Sequence, residues 1–429
     1  MPAKWTTFSL IVVLFLLSIV SGYNYYTRPY FVPSSENPTV EVTEVASTSA
    51  QVSSLPSAED LASKLSIQEK IAQVLILPIA VNADVEITTV ATSSASSSAI
   101  ISDFFSTRKP LLESQLAFKP GAVLITSPSL TSSEVTELLT DLRATEIATG
   151  SSEPLAQPLV LVDHEGGAVQ RLNAEGFSVL PSWKVLCSQS QSERVSLLAK
   201  SAAELKSAGI DVVLGPVIDT GATDSVLGSR ICSSEATVVA TAAGDYLSAF
   251  INAGVVPVLK HYPGIGATRY DLHKRFDSVQ VDPDDIWLYK RLLDAAPFLP
   301  VLISHVGVQN QYLNIPCSLS SDCVQELTGT YPQVLTIADA LDMPSARVPR
   351  SAGSNNRSIV DAALDAIAAG NSMIILGQKV TLADQKQVFA AVQKEYQTNA
   401  TFASKLDSAV LKILALKLRI AKDEMQEEQ

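Results

Sequence analysis

Residues 158–167 read PLVLVDHEGG: a proline, four apolar residues from Leu159 to Val162, then Asp163, His164 and Glu165 ahead of a glycine pair. A short, nearly continuous apolar run is the pattern of a parallel strand buried on both faces. Its abrupt change to ionisable residues suits a strand that delivers side chains to a site at its C-terminal end. The pattern recurs at QVLILPI (73–79), GAVLITS (121–127), IDVVLGPV (210–217), VVPVLKH (255–261), LPVLISH (299–305), QVLTIAD (333–339) and SMIILG (372–377). Helical segments lie between, such as SSEVTELLTDLRATEIA after the second run and SIVDAALDAIAAG after the seventh, and a last helical stretch covers 382–425. Eight such units predict an α/β fold, a closed (β/α)8 barrel of the TIM type. An open doubly wound sheet is the competing arrangement, but no strand runs into GxGxxG and the count suits closure.

The composition agrees with one large core. The chain has 429 residues, 47% hydrophobic and 17% charged, with 31 Lys+Arg against 44 Asp+Glu for a net charge of −13. At roughly 150 residues per domain this length admits two or three domains or one barrel. The apolar content excludes wholesale disorder, and the acidic balance argues against nucleic acid or anionic lipid as the main partner. Four cysteines, Cys187, Cys232, Cys317 and Cys323, are too few for a disulfide scaffold and form no CxxC pair. Their pairing is left open.

From Trp5 to Gly22 the chain is almost wholly apolar and uncharged, with Lys4 before it and Tyr23, Tyr25 and Tyr26 after it. The run is apolar all round, as a membrane segment is and an amphipathic core helix is not. The absence of an A-x-A cleavage site favours an uncleaved single-pass anchor over a cleaved signal peptide. Lys4 on the short side places the N-terminus in the cytoplasm and the remainder outside the cell membrane. Residues 1–28 are thus expected to be anchor or signal, 29–57 a flexible linker rich in Ser, Thr, Pro and Val, and 58–429 the barrel. A second polar stretch, Thr88 to Ser98, reads as a surface insertion.

In a barrel the chemistry belongs at the C-terminal strand ends. There the chain places Asp163-His164-Glu165 followed by Arg171, then Asp219, Lys260-His261 with Asp271-Leu272-His273 beyond, Ser304-His305, and Asp339. All four histidines fall at these ends or in the loop after the fifth strand, which predicts a polar pocket. A metal site lacks HxH or HExxH, and Lys260 sits where a cation would go. A serine nucleophile lacks GxSxG. The short Gly264-Ile265-Gly266 run is weak support for phosphate binding. Glycoside chemistry fits better: Asp339 supplies an ionised carboxylate for an oxocarbenium-like transition state, and an Asp271/His273 pair supplies the proton. Residues at i and i+2 face the same way in extended backbone, which suits that pair.

The strings VDHEGGAVQRL, GPVIDTG, GSR, KHYPGIGATRYDLH, SHV, PCSLS and ADALDM occur in this order. With them the chain resembles the bacterial β-N-acetylglucosaminidases (β-hexosaminidases) of glycoside hydrolase family 3, in their barrel-only form, over about residues 60 to 425. The resemblance implies a retaining exo-enzyme that removes terminal β-linked N-acetylglucosamine from peptidoglycan fragments or chitin-type oligosaccharides. It assigns Asp339 as nucleophile, His273 as general acid/base on a mobile loop, and Asp271 as its partner. Asp163, Arg171, Arg230, Lys260 and His261 match sugar-binding positions, and Glu165 reads as a scaffold carboxylate. It implies no metal or organic cofactor and a monomer. The alternatives are a β-glucosidase-like or phosphorolytic exo-glycosidase of the same family, or a catalytically silent surface sugar-binding protein. The chain departs from the family pattern at Ile265, where His is frequent, at Leu272, where Ser is frequent, and at Ala338, where Ser or Thr is.

Overall fold

The computed structural model describes residues 56–79, 119–127, 129–148, 157–221, 225–309, 315–351 and 353–427, which belong to one compact unit beginning at Leu55. The N-terminal apolar run, nearly all of the linker and the Thr88–Ser98 stretch lie outside the described residues. Among the described residues no helix is long and apolar enough to cross a membrane.

Eight parallel strands close on themselves: β1 (Leu75–Ile79), β2 (Ala122–Ile125), β3 (Leu159–Gly166), β4 (Val212–Val217), β5 (Val256–Tyr262), β6 (Val301–Ile303), β7 (Thr336–Ala338) and β8 (Met373–Ile375). Each pairs with its neighbour in the chain, and β8 returns to β1 through Leu75↔Ile374 and Ile76↔Ile375, so no edge among them is left open. The barrel expected from the repeated apolar runs is therefore present.

Strand alternation sorts side chains onto two faces. On β3, Val160 and Val162 join a cluster containing Leu198 and Ala202 of helix Gln191–Ser207 and Tyr246 and Phe250 of helix Ala236–Asn252. Leu159 and Leu161 join a second cluster with Ala122, Leu124, Val212, Leu214 and Val258 of the other strands. Asp163 continues the second set and His164 the first.

Element boundaries move in two places. Gln73 and Val74, expected to open the first strand, instead end and cap helix Ile67–Gln73, which starts at a Ser66/Glu69 capping box. The last helical stretch is two helices, Leu382–Thr398 and Ala400–Glu427. Asn399 breaks them with an extended backbone and a side-chain oxygen that accepts the Phe402 N–H at 3.1 Å. A polar residue inside a helical pattern carries no Gly/Pro signal, so the break is invisible to periodicity.

The cysteines pair as Cys187–Cys232 and Cys317–Cys323, with Cα separations of 5.6 and 5.3 Å. The first ties helix Trp183–Ser188 to the segment just after Arg230; the second flanks Ser318. Denatured protein kept from reductant should therefore show no titratable thiol. The double variant Cys187→Ser/Cys232→Ser should lose about 3 kcal/mol in denaturant unfolding; an unchanged midpoint with intact m-value would contradict the bridge.

Candidate active site

β3 delivers Asp163 and Glu165 to the barrel mouth, and β5, on the far side of β4, delivers Lys260 and His261 beside them. Lys260 is 2% exposed, and its Nζ lies 3.1 Å from Asp163 Oδ1 and 2.5 Å from Glu165 Oε1. Arg230 forks onto Glu165 through Nε at 2.7 Å and Nη2 at 2.9 Å. Burial raises the Glu165 carboxyl pKa, but Lys260 and Arg230 outweigh it and hold the group at about 2. Lys260 is likewise disfavoured as a cation by burial and restored above its usual range by Glu165 and Asp163. Arg171 Nε stands 3.7 Å from Asp163 Oδ2, is buried, and makes no hydrogen bond.

A register break between Leu259 and Tyr262 in the β5–β6 pairing accompanies the approach of two consecutive residues, Lys260 and His261, to the same charge cluster. His261 Nδ1 lies 2.7 Å from Asp219 Oδ2, and its Nε2 lies 3.1 Å from Arg230 Nη2. Arginine can only donate, so Nε2 accepts and Nδ1–H donates to Asp219. Asp219 Oδ1 also accepts the Ile265 N–H at 2.8 Å, binding the β4 end to the turn after β5.

Asp339 follows β7. Its Oδ1 accepts the Ala340 N–H at 2.8 Å. Burial raises its pKa, yet His305, His261, His273 and the Ala340 amide together leave it below the ordinary aspartate range. His305 is fully buried; its Nε2 donates to the Ala340 carbonyl at 3.0 Å, and its Nδ1 lies 2.6 Å from Ser318 Oγ, a hydroxyl able to serve either role. Burial lowers its pKa accordingly.

The Asp271/His273 pair forms, though in a turn rather than the extended backbone expected: the Asp271 carbonyl accepts from the Lys274 and Arg275 N–H groups. Asp271 Oδ1 accepts from His273 Nδ1 at 3.0 Å and from the His273 N–H at 2.9 Å, and the imidazole side chain is 69% exposed. Burial raises Asp271, but both hydrogen bonds from His273 bring it below its usual range. The ring sits near enough for its charge to act on Asp339 and His305.

One expectation needs correction. His164 does not join the other histidines: alternation turns it outward, where Nε2 meets Ser201 Oγ at 2.7 Å and the ring abuts Phe250 edge-on. Burial drops its pKa to about 4, so it is a neutral core histidine. The Gly264-Ile265-Gly266 run is not a phosphate cradle. A Cβ on Gly264 would lie 2.0 Å from Asp285 Oδ2, and one on Gly266 1.6 Å from the Thr220 carbonyl oxygen, so these glycines permit close packing. Asp285 itself, whose Oδ1 accepts from Thr220 N at 2.7 Å and Oγ1 at 2.8 Å, carries no motif that would single it out.

The departures Ile265 and Leu272 meet in one apolar cluster with Leu227, Ile231, Val279, Val306 and Met343, beneath the segment that carries His273. Polar side chains at 265 and 272 could not be buried there without new hydrogen bonds.

A closed α/β barrel with ionisable residues gathered at the C-terminal ends of its strands is the architecture of a TIM-barrel active site. Residues 67–416 match the family described as the glycosyl hydrolase family 3 N terminal domain, and the chain belongs to that family. A beta-hexosaminidase of Nitrosomonas eutropha is 32% identical over 254 residues, 55% of this chain and 70% of that protein. Beta-hexosaminidase LpqI of Mycobacterium tuberculosis is 34% identical over 194 residues, 43% of this chain and 48% of that protein, and a beta-hexosaminidase of Idiomarina loihiensis is 30% identical over 202 residues, 46% and 57%. The chain thus spans about half the length of these last two. The solved β-N-acetylhexosaminidase of Beutenbergia cavernae shares the fold, with a TM-score of 0.66 at 22% identity over 82% of this chain and 99% of that one.

If the apolar cluster pins the 265–277 segment, Leu272→Ser should cost about 3 kcal/mol. It should also speed amide exchange in that segment above the rest of the barrel, and uniform exchange rates in the variant would show the cluster does not hold it.

Proposed function

We propose that the protein is a retaining exo-β-N-acetylglucosaminidase. The observation that carries this reading is the Asp271–His273 pair, exposed on a loop whose charge reaches the ionised Asp339. Oδ1 of Asp339 is engaged by the Ala340 amide, leaving Oδ2 for the anomeric carbon. In the first step Oδ2 bonds to that carbon, the glycosidic C–O bond breaks, and the leaving oxygen takes the proton from His273 Nε2. Asp271 stabilises the imidazolium before transfer and fixes the ring through Nδ1. In the second step water attacks the anomeric carbon, gives its proton to His273 and releases the Asp339 carboxylate. Asp163, Arg171, Arg230, Lys260 and His261 bind the sugar; of these Arg171 retains a buried Nε–H that makes no hydrogen bond, 3.7 Å from Asp163 Oδ2.

Carboxylate-bearing peptidoglycan fragments suit the site better than chitin-type oligosaccharides. Lys274 Nζ lies 3.9 Å from Asp271 Oδ2, Arg269 and Arg275 belong to the same segment, and Arg275 stacks 3.8 Å from the centroid of Tyr270, which is 42% exposed. A stacked guanidinium presents its N–H edge to an anion. Two disulfides fit an oxidising compartment outside the cytoplasm, in keeping with a membrane-anchored protein whose apolar N-terminal run holds a monomeric barrel at the cell surface.

The protein should release p-nitrophenol from its β-N-acetylglucosaminide. Asp339→Asn should abolish turnover, and His273→Ala should slow hydrolysis of a sugar leaving group by about 10²- to 10⁴-fold but that of p-nitrophenol less. Full activity in Asp339→Asn would refute the assignment. Because Asp339 lies below the ordinary aspartate pKa of about 3.9, kcat/KM should lose its acid limb only below that value. Arg275→Ala should raise KM for a muramic-acid-containing disaccharide and leave chitobiose unaffected; equal effects on both would remove the preference.

A further inference from the structure

We infer that Asp285 is a positioning residue for this site, tying the loop after β4 to the turn after β5 through Thr220 and Gly264, and that a negative charge placed on it weakens sugar binding. The inference rests on His261 being a sugar-binding residue, as proposed above. Asp285 lies on the first turn of helix Pro283–Ala295 and is 3% exposed. Its Oδ1 takes both donors of Thr220, the residue next to Asp219, while Oδ2 lies against the backbone of Gly264. It therefore grips both segments that Asp219 joins, one through Thr220 and the other through the turn whose Ile265 amide Asp219 also binds. A shift of either segment moves the Asp219–His261 hydrogen bond.

The groups around it oppose a charge. Asp219 faces it from the end of β4, Asp282 and Tyr289 from its own helix, and Tyr262 and His261 belong to the β5 side of the same interior. Among the described residues no lysine or arginine forms an ion pair with it. Burial first, and the Asp219 charge second, push its carboxyl up to about 8 against the Thr220 hydrogen bonds. Ionisation would place a second negative charge beside Asp219 in a buried interior, where His261 serves Asp219 and no lysine or arginine among the described residues pairs with Asp285.

The test uses the whole protein and Asp285→Asn, which keeps the acceptor for Thr220 and cannot ionise. Calorimetric titration with N-acetylglucosamine should show the parent losing about tenfold in affinity between pH 7 and pH 9, as the competent protonated fraction falls. The variant should bind with an affinity that stays flat over this range. A parent affinity independent of pH, or a variant that follows the parent, overturns the inference. A second reading separates this from a failure of the sugar assignment. An acid whose folded pKa exceeds its unfolded value loses stability as pH rises between the two, from about 4 toward 8. The Tm advantage of Asp285→Asn over the parent should grow across that window and then level off. If neither protein binds N-acetylglucosamine the functional reading fails, and the Tm difference alone decides: growth with pH supports the protonated Asp285, and parallel curves overturn it.

Discussion

A lysine and a glutamate, each almost wholly buried, meet at the barrel mouth from strands on either side of β4, and the rest of the site is built outward from them. Lys260 and Glu165 would each be costly alone in this interior, where losing one partner of a buried pair costs about 3–5 kcal/mol. The pair persists because neither is alone. Asp163 takes a second donor position on Lys260, and Arg230 forks onto Glu165. Arg230 then reaches His261, which reaches Asp219, which holds the turn leading to the His273 loop. One charge cluster thus sets the position of groups drawn from β3, β4, β5 and two loops.

Around that cluster the site divides labour by environment. Asp339 remains ionised through the surrounding histidines and one amide, despite its burial. Asp271 is kept ionised by His273, at a place open to solvent. Asp285, a third carboxyl a short distance away, has burial and a like charge against it and only Thr220 in its favour. Three aspartates in one chain thus meet opposite fates because of what lies beside each, which is the physical basis for distinct roles from one side-chain type.

The barrel was legible because its signal is local. Each strand is a continuous apolar run, and the polar residues at the ends of β3, β5 and β7 lie next to those runs in the chain. Asp271 and His273 were legible for the same reason, being two residues apart. His164 was misplaced because a polar run at a strand end does not reveal which face each residue takes; the alternation that sends it to Ser201 and Phe250 depends on where the strand begins its pleat. Asp285 was missed because its meaning lies in contacts with Thr220, 65 residues away, and with Gly264. The Gly264 and Gly266 spacing, only weak support for an anion loop, serves close packing against a distant carboxyl and a distant carbonyl, which leaves no mark in the local sequence.

Ile265 and Leu272 show how a departure from a family pattern acquires meaning only in pairs. Either one, set alone among polar neighbours on a surface loop, would expose apolar area for no gain. Together they cover one another and five other residues, and the Ile265 amide still reaches Asp219. The backbone contact that ties the turn to the site is therefore indifferent to the side chain at 265, while the side chains at 265 and 272 have become a shared apolar floor for the His273 segment. Burial of two apolar side chains contributes about 2 kcal/mol each, enough to shift a loop's equilibrium strongly toward its packed arrangement. The loop that carries His273 is thereby anchored by packing, and its imidazole stays exposed, as its proposed role of proton donor to a departing group requires.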